Sequence, residues 1–307
     1  MTPIRAFRAK ARAALNALLR ARRRRRMQAS RHVSKEEIAD GLRNLGIVPG
    51  DVVFLHSSLR SLGFVPGGAA AVIEAIREIL TPDGVLIVPT YHMPAGTIHA
   101  TCLLPDYEFD PRIHGTELGA LPSAFLKMDG IRRSIHPTHS VSAIGRRAGE
   151  ITGAHHLAPS IFGPGSPWEK CIELGGKVLG LGVTMGPVTF YHTLEDRMGD
   201  AFPIPVRAET TYRLPCRTMS GERVEVPVRP LNPDYAPRRI DAGGRDDLRD
   251  YFWREFSRAG LLRVGAVGEA KAWYINAQDF IAHLEKLALE GITIYATPEQ
   301  LARRPIP

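Results

Sequence analysis

The sequence predicts an α/β fold in one large domain, and three features predict it. Asp51-Val52-Val53-Phe54-Leu55-His56 and Val85-Leu86-Ile87-Val88 are short, continuous apolar runs of the kind buried on both faces of a sheet. Residues 69–80 between them carry apolar positions at helical spacing and close on Pro82-Asp83-Gly84. A strand, a loop, a helix and a strand in that order make a crossover unit, which favours a mainly parallel sheet. The 307 residues, 44% hydrophobic and 23% charged, suit one domain with a small extension.

The remaining elements follow in order. Ser34 opens a helix, with Glu37 three residues on in the capping-box position. Ile38, Leu42 and Leu45 continue it, and Gly46 and Pro49-Gly50 stop it. Residues 57–68 are a loop rich in Ser and Gly. Residues 92–117 lack periodicity and hold three His, four acids and three Pro, a long irregular loop of the kind that carries function. A helix is expected near 118–128 and a short strand near 140–144. Ser166, with Pro167 at the first helical position and Glu169 in the capping-box position, starts another helix. A buried strand is expected at 177–183, a helix at 189–198, and polar alternating strands near 210–214 and 224–228. Helices near 246–257 and 279–289 complete the chain. No internal repeat is present.

The net charge of +8 suggests a nucleic-acid binder until it is located. Residues 1–26 hold ten of the forty Lys and Arg and no acid, so the rest of the chain has 30 bases against 32 acids, a charge of −2. A near-neutral body argues against a nucleic-acid groove. In the tail, Ile4, Phe7, Ala11, Leu15 and Leu18 recur at helical spacing among arginines. One reading is a basic amphipathic helix that touches an anionic membrane face. The favoured reading is a solvated extension over residues 1–30, or residues ahead of the true start, with the functional domain at 31–307. Cys102, Cys171 and Cys216 are odd in number and form no CxxC, which argues against a disulfide framework or thiolate zinc site and fits a cytoplasmic location. No stretch approaches the roughly 20 apolar residues of a membrane span.

Three segments could carry chemistry. The Ser57-Ser58-Leu59-Arg60 loop ends in Gly67-Gly68 at a helix start, where free backbone N–H groups and the positive helix end favour an anion. It matches neither GxGxxG nor a P-loop, so an ordinary tight turn weighs equally. His136 and His139 invite a metal, but Pro137 extends the segment and no third ligand has metal-site spacing, so a structural or ligand-lining loop is preferred. In Thr189-Phe-Tyr-His192-Thr-Leu-Glu195, positions three apart share a helical face. Glu195 could hold the His192 imidazole in one tautomer, as a general base requires. From spacing alone an exposed ion pair is the commoner outcome.

These segments occur together and in order, and as a set they resemble the aminoglycoside 3-N-acetyltransferase family. The resemblance rests on His56-Ser-Ser-Leu-Arg-Ser-Leu-Gly63, on His136-Pro-Thr-His-Ser140 through Gly145, on Gly165-Ser-Pro-Trp168, and on Val178-Leu-Gly-Leu-Gly-Val183 followed by Thr189-x-x-His192-x-x-Glu195. It spans about residues 34–200. It implies the antibiotic N-acetyltransferase fold, an α/β/α layered mixed sheet distinct from the GNAT superfamily, here with a β-rich C-terminal element. It also implies acetyl-CoA as acyl donor, held by Ser57, Ser58, Leu59, Arg60, Gly67 and Gly68, with Ser140, Val141 and Ser142 along the pantetheine arm. His192 matches the catalytic histidine and Glu195 its nearby acid, and Thr189 is a candidate oxyanion donor.

The expected partner is a small-molecule amine, the 3-amino group of the deoxystreptamine ring of an aminoglycoside. No nucleic acid and no metal are expected, and a homodimer stays open. The family meets its polycationic acceptor with acidic residues, for which Asp106, Glu108 and Asp234 are the candidates here. An alternative keeps the chemistry and takes an amino sugar of surface-polysaccharide or natural-product biosynthesis as acceptor. An alternative of another class is a metal-dependent hydrolase using His136, His139, His192 and Glu195. A third is a non-enzymatic membrane or nucleic-acid binder driven by the tail.

Overall fold

The computed structural model of the chain describes residues 31–306. The basic extension of residues 1–30 lies outside them. In chain order the strands are β1 (Val52–Ser57), β2 (Val85–Pro89), β3 (Arg132–Arg133), β4 (Val141–Gly145), β5 (Lys177–Leu181), β6 (Tyr212–Arg217), β7 (Arg223–Val228), β8 (Arg263–Val267) and β9 (Ala270–Asn276). The α-helices are α1 (Lys35–Leu45), α2 (Gly68–Leu80), α3 (Ile98–Cys102), α4 (Ala120–Phe125), α5 (Ala148–Thr152), α6 (Pro167–Glu173), α7 (Tyr191–Met198), α8 (Asp246–Arg258), α9 (Ala277–Leu289) and α10 (Pro298–Arg303).

Seven strands form one mixed sheet in the order β3-β4-β2-β1-β5-β9-β8, and β6 and β7 form a separate hairpin. Its side chains alternate between two cores, as the two-residue period of a strand requires. Val52, Phe54, Val85 and Ile87 join Trp168, Phe190 and Phe280 on one face. Val53, Leu55, Leu86 and Val88 join Ile38, Leu42, Val72, Ile76 and Phe125 on the other. Helices α1, α2 and α4 cover the second face, and α5, α6, α7 and α9 the first, which is the layered α/β/α arrangement.

The sheet is less parallel than the crossover unit suggested. Only β1 is parallel to its neighbours, β2 and β5; the other pairs are antiparallel. Two physical reasons account for this. β4 returns beside β2 after an irregular stretch rather than a helical crossover. The hairpin β8–β9, closed by Gly268 with φ of 57° and Glu269, pairs to β5 along β9. The sequence reading missed that hairpin, although β8 carries Val264 and Val267 and β9 carries Trp273, Tyr274 and Ile275, residues that favour strands.

Two capping boxes formed only by half. Ser34 and Ser166 both accept from the backbone N–H three residues on. The reciprocal carboxylates bind elsewhere: Glu37 pairs with Arg31 at 2.6 Å, and Glu169 takes both arms of Arg197 at 2.6 Å. The second pair ties α6 to α7, the helix that carries His192.

The glycines in β5 and just after it have steric causes. Gly180 lies opposite Trp273, and a Cβ there would come within 2.1 Å of the indole ring. That ring is fully buried and donates its N–H to the Val183 carbonyl at 2.8 Å. Gly182, at φ of 70°, lies so close to Ser61 that a Cβ would meet its Cβ at 2.6 Å. Replacing Gly180 with alanine is expected to cost about 3 kcal/mol by overpacking. Urea titration should show a lower midpoint at unchanged slope, and an unchanged midpoint would remove this explanation of the glycine.

Beyond α9 the chain turns back to the site. Glu255 of α8 is fully buried and pairs with Arg258 at 2.7 Å, His283 of α9 at 3.1 Å and Arg304 at 3.3 Å. These arginines outweigh the cost of burial and hold its carboxyl down at about 2. The clamp, with Arg238 donating to the Tyr295 carbonyl at 3.0 Å, fixes the segment that delivers Tyr295.

Candidate active site

The carboxyl ends of the parallel strands β1, β2 and β5 face one edge of the sheet. Helix α2 leaves β1 towards one face, and α7 follows β5 on the other. Such a divergence opens a crevice where ligands of open α/β sheets bind. Two cavities lie there.

The first is lined by Ser57, Ser58, Leu59, Arg60, Gly63 and Gly68 from the loop after β1, and by residues 118–122 at the start of α4; its volume is 660 Å³. Gly67 and Gly68 hold φ of 82° and 61°, and α2 starts at Gly68 with the free N–H groups of a helix start turned to this end. Leu118 lines this cavity and the second one, so the two lie on either side of that residue.

The second cavity, 360 Å³, is lined by Tyr91, His139, Phe162, Thr189 and His192, by Met93, Thr97, Ile98 and His99 of the irregular loop, and by Asn232, Arg239 and Asp241. His192 lies in the first turn of α7. Its Nδ1 is 2.8 Å from Glu195 Oε1, and the Glu195 side chain is fully buried, so the pair is internal and not an exposed ion pair. The Tyr295 hydroxyl donates to the same oxygen at 2.8 Å, and Arg207 lies 3.4 Å from Oε2. Burial alone would raise the Glu195 carboxyl; His192, Arg207 and Tyr295 outweigh it and hold it below the ordinary carboxylate range. An ionised Glu195 accepts the Nδ1 proton, which leaves the lone pair on Nε2, and no hydrogen bond among the described residues engages that nitrogen.

Thr189 sits in the turn before α7. Its hydroxyl oxygen accepts from Tyr91 at 3.0 Å and from the Trp168 indole at 3.0 Å. With both lone pairs engaged, its hydrogen is left to donate into the cavity.

The other expected residues lie apart from the cavities. Ser140, Val141 and Ser142 are fully buried and line neither cavity. The Ser140 hydroxyl donates to the Thr90 carbonyl at 2.8 Å and accepts from Arg133 at 3.0 Å, and Ser142 bonds Thr90 at 2.9 Å. Asp106 is exposed, at φ of 55°. Glu108 pairs with Arg217 at 2.9 Å and Arg223 at 3.3 Å, which neutralises it on the β6–β7 hairpin. Asp234 is exposed beside the lining residues Asn232 and Pro233. His136 turns its Nδ1 to the backbone N–H of His139 at 3.0 Å. Among the described residues no group of three or more His, Cys, Asp or Glu is placed to hold a metal. No described helix is long and apolar enough to cross a membrane.

Sequence reasoning missed Tyr91, Trp168, Arg207, Arg239 and Tyr295 as site residues. Tyr295 lies 100 residues from Glu195, and no short-range spacing signals such a contact. Arg133 was missed as well. Buried against the irregular loop, it donates to the carbonyls of Thr90 at 2.8 Å and Gly115 at 3.0 Å and to that of His114. Arg133→Ala leaves these carbonyls without a donor and is expected to cost about 3 kcal/mol or more. Limited proteolysis should then cut within 92–117, and an uncut loop would show that other contacts hold it.

The family model for aminoglycoside 3-N-acetyltransferase matches residues 54–288. The chain belongs to this family of acyltransferases. An aminoglycoside N(3)-acetyltransferase III of Salmonella sp is 32% identical over 271 residues, covering 82% of this chain and 92% of the relative. The structure of AAC-VIa bound to sisomicin superposes with a TM-score of 0.67 at 26% identity, covering 82% of this chain and 96% of that one. The structure of AAC-IIIb, binary with CoASH, shares the fold, with a TM-score of 0.68 at 24% identity over 87% of this chain and 100% of that one.

Proposed function

We propose that the chain transfers the acetyl group of acetyl-CoA to an amino group of a sugar ring, with His192 as general base. The observation that carries this is the buried His192–Glu195–Tyr295 chain at the wall of a cavity that shares its lining residue Leu118 with the Ser57–Gly68 groove. The groove suits a phosphate-bearing donor through the α2 N-terminus, Arg60 and the half-buried backbone at Gly68. The thioester then enters past Leu118.

The amine attacks the thioester carbonyl carbon while His192 Nε2 takes its proton. Glu195 stabilises the imidazolium that forms. The Thr189 hydroxyl is placed to donate to the developing oxyanion. Collapse breaks the C–S bond, and the CoA thiolate leaves with the proton from His192. Transfer is direct. Burial pushes the Cys102 thiol up to about 11 and raises Cys171 and Cys216 further, and none of them lines the cavity.

The 3-amino group of an aminoglycoside is the acceptor, since the family relatives carry that name. Mass spectrometry of the amine after incubation with acetyl-CoA tests the reaction: one added acetyl group is expected, and none with any amine would overturn the proposal. Thr189→Val should lower kcat about 10²–10³-fold at little change in acetyl-CoA affinity. An unchanged kcat would remove Thr189 from the oxyanion site. The tail of residues 1–26 is proposed as dispensable for transfer, so that a chain starting at residue 31 keeps its rate. A lost rate would give the tail a role.

A further inference from the structure

His192 is not the only imidazole in the wall of the second cavity. His139 lines it too, and acetyl transfer as drawn above makes no use of it. Its ring lies 4.4 Å from that of Tyr91, whose hydroxyl donates to Thr189 at 3.0 Å. The His139 and His192 rings each lie 5.2 Å from the Phe162 ring. The two imidazoles therefore flank one phenyl group, and Tyr91 joins the first of them to Thr189. The hydrogen bonds of the 136–139 segment assign the His139 protons. His136 Nδ1 accepts from the backbone N–H of His139 at 3.0 Å and of Thr138 at 3.3 Å, so its lone pair is engaged. The Thr138 hydroxyl has one hydrogen, and it lies 3.4 Å from that nitrogen and 3.0 Å from His139 Nδ1. The nearer nitrogen, with no other donor, is the better acceptor. His139 Nδ1 then accepts and Nε2 carries the proton. The His136 Nε2 is sealed in the interior without a partner, whereas the His139 Nε2 is not sealed and belongs to a ring that lines the cavity. Burial, with His192, His155, Arg207 and Arg239 nearby, holds the His139 ring neutral, well below the ordinary range.

We propose that His139 is a second catalytic histidine, a neutral oxyanion donor whose Nε2–H and the Thr189 O–H together receive the thioester oxygen as the amine attacks. This rests on the acetyl-transfer reading and adds a residue to it. As the C–N bond forms, the carbonyl π pair moves onto oxygen, where the two donors stabilise it. Collapse restores the C=O bond and breaks the C–S bond. His139 gives hydrogen bonds throughout and transfers no proton, which stays with His192. Its neutrality matters, because an imidazolium at this place would repel the one that forms at His192.

The test uses the full chain with acetyl-CoA and sisomicin, and two polar variants of similar size. His139→Gln places an amide N–H near the Nε2 position, and His139→Asn reaches only the Nδ1 position. His139→Asn should lower kcat about 10²-fold with little change in either KM, and His139→Gln should recover to within about tenfold of the unaltered chain. A second readout needs no turnover. The infrared carbonyl stretch of acetyl-CoA, labelled with ¹³C at the carbonyl, is measured on the complex without amine. The unaltered chain and His139→Gln are expected to lower it from its value in solution, and His139→Asn to return it towards that value. Equal kcat in the two variants, a loss confined to the KM of the amine, or a stretch indifferent to His139→Asn would overturn the proposal. Sisomicin turnover by the unaltered chain would then leave the acetyl-transfer reading standing. If no amine is turned over, the stretch alone decides for or against His139, and the acceptor class falls by itself. If acetyl-CoA does not bind, both fall.

Discussion

Replacing His192 with alanine should lower kcat about 10²–10⁴-fold, the range that a positioned general base contributes, while acetyl-CoA binding stays within a factor of a few. The separation of effects follows from geometry. His192 lines the second cavity and not the groove of the Ser57–Gly68 loop, so its loss touches the proton and not the donor. Glu195→Gln should do less. It keeps the shape and a hydrogen bond to the ring, but it removes the charge that stabilises the imidazolium and reorders a site where Tyr295 and Arg207 both expect a carboxylate. A loss of about 10–10²-fold is the expected result. If Glu195→Gln matched His192→Ala, the acid would be more than an orienting group. If neither changed kcat, the proton would leave by another path.

Mild acid should destabilise the fold steeply. His56 and His155 are buried and held neutral, each pushed down to about 3, and His136 and His139 are held well below the ordinary range by burial. The unfolded chain binds protons at these positions below about 6.5, and the folded chain does not. Stability from these groups is therefore complete above pH 6.5 and is lost as pH falls towards 3. Each group removes about 1.4 kcal/mol per pH unit in that window, so His56 and His155 alone remove roughly 4 kcal/mol between pH 6.5 and 5. Urea titrations at pH 7.5 and 5.0 measure this. His56→Leu should flatten the slope by about 1.4 kcal/mol per unit, because it removes one of the titrating groups, and it breaks no hydrogen bond of the unpartnered His56 Nε2. Equal stability at the two pH values would show that these imidazoles reach water in the folded state.

Local patterns were legible where neighbours in the chain are neighbours in space. The strand–loop–helix–strand unit, the two serine N-caps and the i,i+3 pairing of His192 with Glu195 are of this kind. The partners that turn the pair into a site come from far along the chain. Tyr295 arrives from the segment after α9, Arg207 from the stretch before the β6–β7 hairpin, and Arg239 from a turn after it. No periodicity connects such positions. Glu108 was misleading for a related reason. A free carboxylate and one held by two arginines read alike in a sequence, and Arg217 and Arg223 are more than 100 residues away. The serines at 140 and 142 likewise read as ligand-lining until Thr90 and Arg133 are seen to engage them.

Initial rates of free-thiol release from acetyl-CoA, with donor and amine varied together, test the central claim most directly. Direct transfer at His192 predicts acceptor-dependent release with intersecting reciprocal plots, lost in His192→Ala. Parallel plots with a burst of thiol before any amine is added would instead mean an acyl-enzyme intermediate, and would contradict the account.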